Sequence, residues 1–127
     1  MRFEFATAGR ILFGGGTLRE AGAIAKSLGA RALVVTGGQT GRAARLLEGL
    51  HAGGVAMCTF PVSGEPTLNA VMEGRAVARA EGCDMVIGMG GGSALDAAKA
   101  IAAMRTNDGE LLDYLEVIGR GRPLQHP

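Results

Sequence analysis

The chain has 127 residues, 47% hydrophobic and 20% charged, with 13 basic against 12 acidic side chains. That length supports one domain with a real core, and the near-neutral balance without a basic, aromatic-interleaved run excludes nucleic acid as the main partner. No apolar stretch approaches a membrane span, the start Met1-Arg2-Phe3-Glu4-Phe5 lacks the apolar core of a secretory signal, and two cysteines without metal-ligand spacing point to a reducing cytoplasm.

Twenty-two glycines punctuate the apolar segments. Phe3–Ala6 and Arg10–Phe13 read as two short strands of an N-terminal β-hairpin turning at Ala8-Gly9, which would need packing to be stable. Thr17 is placed to cap a helix running to about Leu28, with Leu18, Ala21, Ala25 and Leu28 on one stripe and Gly29 as its stop. Ala32-Leu33-Val34-Val35 is a continuous apolar run, suited to a strand over Arg31–Thr36 covered on both faces. After Gly37-Gly38 a second helix carries Ala43, Leu47 and Leu50 towards Gly53-Gly54, and Val55–Phe60 is the next strand. Ser63-Gly64-Glu65-Pro66 opens a third helix with Pro66 at its first position. Its buried face holds Leu68, Val71 and Met72, and Gly82 stops it. Asp84–Gly88 is the third strand of this series. It runs into Gly90-Gly91-Gly92, and a helix begins at Ser93 with Ala94, Ala97, Ala98 and Ile101 at helical spacing. A polar turn at Thr106–Gly109, a short helix at Leu111–Leu115 and an aperiodic tail complete the chain. The alternation predicts an α/β fold: a Rossmann-like parallel sheet flanked by helices and preceded by the hairpin.

Ligands of such sheets bind at the carboxyl ends of the strands. Three turns fall there: Gly37-Gly38, Val62–Pro66 and Gly90–Ser93. The last joins a strand, a glycine turn and a helix start, so backbone N–H groups and the positive end of the helix dipole face whatever lies above the strand. Glycine lets a phosphate approach the backbone closely. A purely local reading of the same residues also stands. Ser93 and Asp96 have capping-box spacing, and Lys99 is placed as a surface ion-pair partner of Asp96. The stretch is neither the G-x-G-x-x-G fingerprint, because Ser93 stands where the third glycine belongs, nor a P-loop.

The run Gly90-Gly91-Gly92-Ser93-Ala94-Leu95-Asp96-Ala97-Ala98-Lys99, G-G-G-S-x-x-D-x-A-K, resembles the signature of the iron-containing (group III) alcohol dehydrogenase family. Arg10–Gly16, Gly64–Thr67 and Asp113–Glu116 fit the same family. The resemblance implies that residues 1–127 are the NAD(P)-binding domain, without the family's C-terminal helical metal-binding domain. It places a pyrophosphate against Gly91, Gly92 and Ser93, Asp96 close to the cofactor, and Gly37 at the adenosine ribose, where many NAD-preferring relatives carry an aspartate. Gly37 offers no carboxylate to hold both ribose hydroxyls or to repel a 2′-phosphate, and Arg42 and Arg45 follow it. The cofactor expectation is therefore NAD or NADP, leaning to NADP or dual use.

Iron or zinc is implied only with the missing domain. His51 and His126 match no ligand position, and no nucleophile–base constellation is available, so no catalytic or metal residue is assigned. The function implied is hydride transfer between nicotinamide and an alcohol, aldehyde or ketone, in a cytoplasmic homodimer, with this chain inactive alone. The alternatives are a stand-alone nucleotide-binding or regulatory module, and a glycine turn that is only a packing device.

Overall fold

In the computed structural model, which describes residues 1–3 and 7–126 without the Thr40 side chain, the run Ala32–Val35 is wholly buried. It lies in β1 (Arg31–Gly37), the centre of a three-stranded sheet between β2 (Ala56–Val62) and β3 (Met85–Met89). Both pairings are parallel, with Val34 opposite Thr59 on one side and Ile87 on the other. Leu33 and Val35 pack with α3 (Leu68–Ala80) and α4 (Gly92–Thr106) through Val71, Ala78, Ala97, Ile101 and Met104. Ala32 and Val34 pack on the other face with α1 (Ala21–Leu28) and α2 (Ala44–Ala52) through Ala25, Leu46 and Leu50. A strand covered on both faces needs apolar residues at odd and even positions alike, which is why the run is unbroken. The short α5 (Leu111–Tyr114) follows as expected.

Several boundaries shift for identifiable reasons. Thr17 does not cap an α-helix. It opens a 3-10 turn, Thr17–Glu20, behind the left-handed Gly16 (φ 85°), and its hydroxyl donates to the Gly14 carbonyl at 3.1 Å. Of the stripe expected for α1, Ala25 is buried and Ala21 partly so, Gly22 joins them, and Leu18 and Leu28 stay exposed. Helix α3 starts later than Pro66: Thr67 is its cap, with Oγ1 accepting the Ala70 N–H at 3.1 Å. Strand β2 runs on through Pro61, which an edge strand tolerates because one side of it needs no donor.

The N-terminal hairpin is not formed among the described residues. Arg10–Phe13 is irregular, with Ile11 and Phe13 largely exposed, and most of its expected partner, residues 4–6, lies outside the described residues.

Asp84 joins the start of β3 to the start of β1. Its Oδ2 accepts the Ala30 N–H at 2.7 Å and its Oδ1 the Arg31 N–H at 2.9 Å. Gly29 makes room for it, since a Cβ there would stand 2.5 Å from Asp84 Oδ1. The two N–H donors favour the ionised form and hold this carboxyl below its ordinary range. A depressed folded-state pKa contributes stability above the unfolded value, near pH 4, that is lost as pH falls through the folded value. Asp84→Asn is therefore expected to cost about 1 kcal/mol at pH 7, a charge-assisted contribution discounted for exposure to water. Urea unfolding at pH 7 and pH 3 checks this; the gap between variant and wild type should narrow at the lower pH.

Candidate functional site

The chain leaves β1 towards α2 on one face of the sheet and leaves β3 towards α4 on the other. The two loops splay apart beyond the carboxyl ends of adjacent strands, which is the switch-point crevice of an open parallel sheet. A cleft of about 490 Å³ opens there, lined by Gly37, Gly38, Gln39, Arg42, Met89 and Gly90 among others.

The glycines of this cleft fall into two kinds. Gly90 is required by the fold: its φ is 155°, and a Cβ would lie 2.9 Å from the Ala94 Cβ and 3.3 Å from the Gly37 nitrogen. Gly37, Gly91 and Gly92 are not. None of the three has a positive φ, and a Cβ on any of them would meet nothing within 4 Å. Neither backbone conformation nor packing asks for glycine at these positions. What their bare backbones provide is open space at the cleft and at the start of α4.

Helix α4 has Gly91 as its N-cap, with no side-chain hydrogen bond closing it. The Ser93–Asp96 capping box does not form, because the helix starts at Gly92 and Ser93 is its second residue rather than its cap. Asp96 pairs instead with Lys99 at 3.4 Å on the solvent side, as the local reading expected. The first N–H groups of α4 therefore keep their donor capacity, at the positive end of a helix 15 residues long.

The structure brings Gly37 and Gly91 together on the cleft wall, with Gly92 and Ser93 directly behind Gly91. Asp96 stands a turn further along on the exposed face. Arg42 lines the cleft, whereas Arg45 lines a separate groove with Gly16, Arg19 and Glu48, so the two arginines are not equivalent. The loop after β2 adjoins without lining: a Cβ on Gly38 would be 3.6 Å from Ser63 Oγ. Sequence reasoning missed Gln39 and Thr36. Thr36, immediately before Gly37, is only 2% exposed, and its Oγ1 has no hydrogen-bond partner among the described residues. A hydroxyl residue at the end of an apolar strand was the available signal.

Among the described residues no group of three or more His, Cys, Asp or Glu side chains is placed to hold a metal. His51 is in the last turn of α2, and the His126 backbone is tied to Asn107 in the tail. The described residues do not fit an iron or zinc site.

A three-stranded parallel sheet with helices on both faces and a glycine-lined crevice at its switch point places the molecule in the Rossmann-like class. The sequence profile described as "Iron-containing alcohol dehydrogenase" matches residues 8–127. The chain belongs to the iron-containing alcohol dehydrogenase family. It is 33% identical over 118 residues to the NAD-dependent methanol dehydrogenase of Bacillus methanolicus, covering 89% of this chain and 31% of that protein. Among solved structures, NADH-dependent butanol dehydrogenase A from Thermotoga maritima superposes with a TM-score of 0.80 at 30% identity, covering 98% of this chain and 32% of the other. Sulfoacetaldehyde reductase from Bifidobacterium kashiwanohense, in complex with NAD+, gives 0.76 at 29% identity, covering 90% and 31%. The chain thus spans about a third of the length of these relatives.

Proposed function

We propose that this chain is the dinucleotide-binding part, residues 1–127, of a metal-dependent, NAD(P)-linked alcohol dehydrogenase or carbonyl reductase. The observation that carries the reading is glycine at 37, 91 and 92 where neither φ nor packing requires it, beside a helix start whose N–H groups are unclaimed by any side-chain cap. Two of the relatives above are named for NAD or NADH, and a third was solved with NAD+. The backbone at Gly91, Gly92 and Ser93 cradles the pyrophosphate through N–H donors and the helix dipole. Gly37 shapes the adenosine end, and Asp96 joins the set if its pair with Lys99 opens on binding. A bound dinucleotide supplies hydride exchange with an alcohol, aldehyde or ketone carbon. Metal ligands and substrate recognition are assigned to the part of such a protein beyond these residues.

The relatives' names favour NAD, while the site itself admits both cofactors. Gly37 carries no charge to repel a 2′-phosphate, and Arg42 on the cleft wall is placed to attract one. Calorimetric titration with NADH and NADPH tests this; protein fluorescence is a poor probe in a chain without tryptophan. Both ligands should bind, and Arg42→Ala should weaken NADPH about 5-fold, the loss of roughly 1 kcal/mol from an exposed ion pair, while leaving NADH unchanged. Failure of both nucleotides to bind would sink the reading.

A cytoplasmic homodimer is the setting proposed for this protein, on its two free thiols and on Ile11, Leu12 and Phe13, which are exposed here and suit a second copy. Among the described residues no helix is long and apolar enough to cross a membrane.

A further inference from the structure

Cys58 and Cys83 are 25 residues apart in the chain, yet their sulfurs lie 3.6 Å from each other. Cys58 is half-buried on β2, an edge strand, while Cys83 stands two residues ahead of β3 and is 4% exposed. The Cys83 backbone is fixed from both sides: its N–H donates to the Ala78 carbonyl at 2.8 Å, and its carbonyl accepts from Arg105 Nη1 at 3.3 Å. The two thiols therefore differ in access and in freedom, with one at the sheet edge and one anchored beneath it. Both lie towards the amino ends of the strands, away from the cleft.

We propose that Cys58 and Cys83 are a reversible dithiol–disulfide site, oxidised by small-molecule disulfides, whose bridge braces the sheet by enclosing α3. A disulfide bond is about 2.05 Å long, so the sulfurs must close by about 1.5 Å, which side-chain rotation at the edge position provides. The Cys58 thiolate attacks one sulfur of the small disulfide, forming a mixed disulfide and releasing one small thiolate. Cys83 then attacks the Cys58 sulfur and expels the second small thiolate, and the Cys83 proton leaves with it. In total two cysteine thiols are oxidised, one small disulfide is reduced to two thiols, and two electrons are transferred. Burial pushes the Cys83 thiol up to about 11, which supports Cys58 as the first attacker and Cys83 as the resolving partner. A bridge of this kind in a reducing compartment is transient and redox-responsive rather than a permanent staple.

The test treats the native protein with glutathione disulfide at neutral pH and analyses it by mass spectrometry, without reduction. The expected result is loss of both free thiols, a mass lower by about 2 Da for the two hydrogens removed, and a digest fragment joining the Cys58 and Cys83 peptides that dithiothreitol separates. The thermal midpoint should rise by on the order of 10 °C, because the bridge restricts the unfolded chain. In Cys83→Ala the reaction should stop at a stable single glutathione adduct on Cys58. Cys58→Ser, at the half-exposed position, should leave Cys83 unmodified and serves if the core variant does not fold. Wild type that accumulates the same single adduct, or whose thiols stay unreacted while folded, overturns the site. A bridge that forms without raising the midpoint overturns the bracing.

Discussion

Ser93→Glu is expected to weaken dinucleotide binding at least about 100-fold in the calorimetric titration, a loss of roughly 2.7 kcal/mol. Ser93 is the second residue of α4, half-buried and two residues after Gly91, which lines the cleft. A carboxylate about 4 Å from a pyrophosphate repels it by roughly 4 kcal/mol at the effective dielectric of a protein surface, and rotation of the longer side chain towards solvent recovers part of that. The effect on the fold has the opposite sign. A negative charge in the first turn of a 15-residue helix with no capping side chain is favourable to the helix by about 0.3–1 kcal/mol. The variant should therefore unfold at the same temperature or slightly higher, so lost binding cannot be blamed on lost structure. Ser93→Ala, which keeps the backbone N–H, should bind nearly as well as wild type. Wild-type affinity in Ser93→Glu would place the phosphates somewhere other than the start of α4.

The layers of the fold were legible in the sequence because burial on two faces leaves an unmistakable trace. Ala32–Val35 has no polar residue at either parity, and Gly37-Gly38, Gly53-Gly54 and Gly90-Gly91-Gly92 each close an element. What the sequence hid are contacts between distant backbones. Gly22 carries no local signal of being the point where α2 touches α1, and of the expected stripe only Leu18 and Leu28 stay exposed. The capping box at Ser93 failed because the cap lies two residues earlier, at Gly91, and spacing alone does not fix the start. In the site, glycine was visible, but the division between Gly90, held by φ and contact, and Gly37, Gly91 and Gly92, held by neither, requires coordinates. Arg42 and Arg45 look alike in sequence, yet one lies in the 3-10 turn at the cleft and the other faces a different groove. The approach of Cys58 to Cys83 spans the sheet and had no local signal.

Gly22→Ala should destabilise the protein by about 2 kcal/mol net, although alanine is the better helix former by about 1 kcal/mol. A Cβ at Gly22 would overlap the Gly49 carbonyl oxygen and stand 3.0 Å from the Gly49 carbonyl carbon. The contact is mutual, since a Cβ at Gly53 would be 2.9 Å from the carbonyl carbon and oxygen of Gly22. These are backbone atoms and have no rotamer to yield. The helices α1 and α2 must separate, loosening the packing of Ala25 against Leu46 and Leu50 beneath them; overpacking of this kind costs about 1–3 kcal/mol or more. Urea unfolding reads the difference, and the thermal midpoint should drop by on the order of 10 °C. Gly49→Ala supplies the control in the partner helix. A Cβ there meets nothing within 4 Å, so the same substitution should stabilise by up to about 1 kcal/mol. Two glycine-to-alanine changes of opposite sign, one on each helix, would show that close backbone approach at Gly22 and not helix propensity sets this interface. A neutral Gly22→Ala would mean that α1 and α2 do not cross at that point.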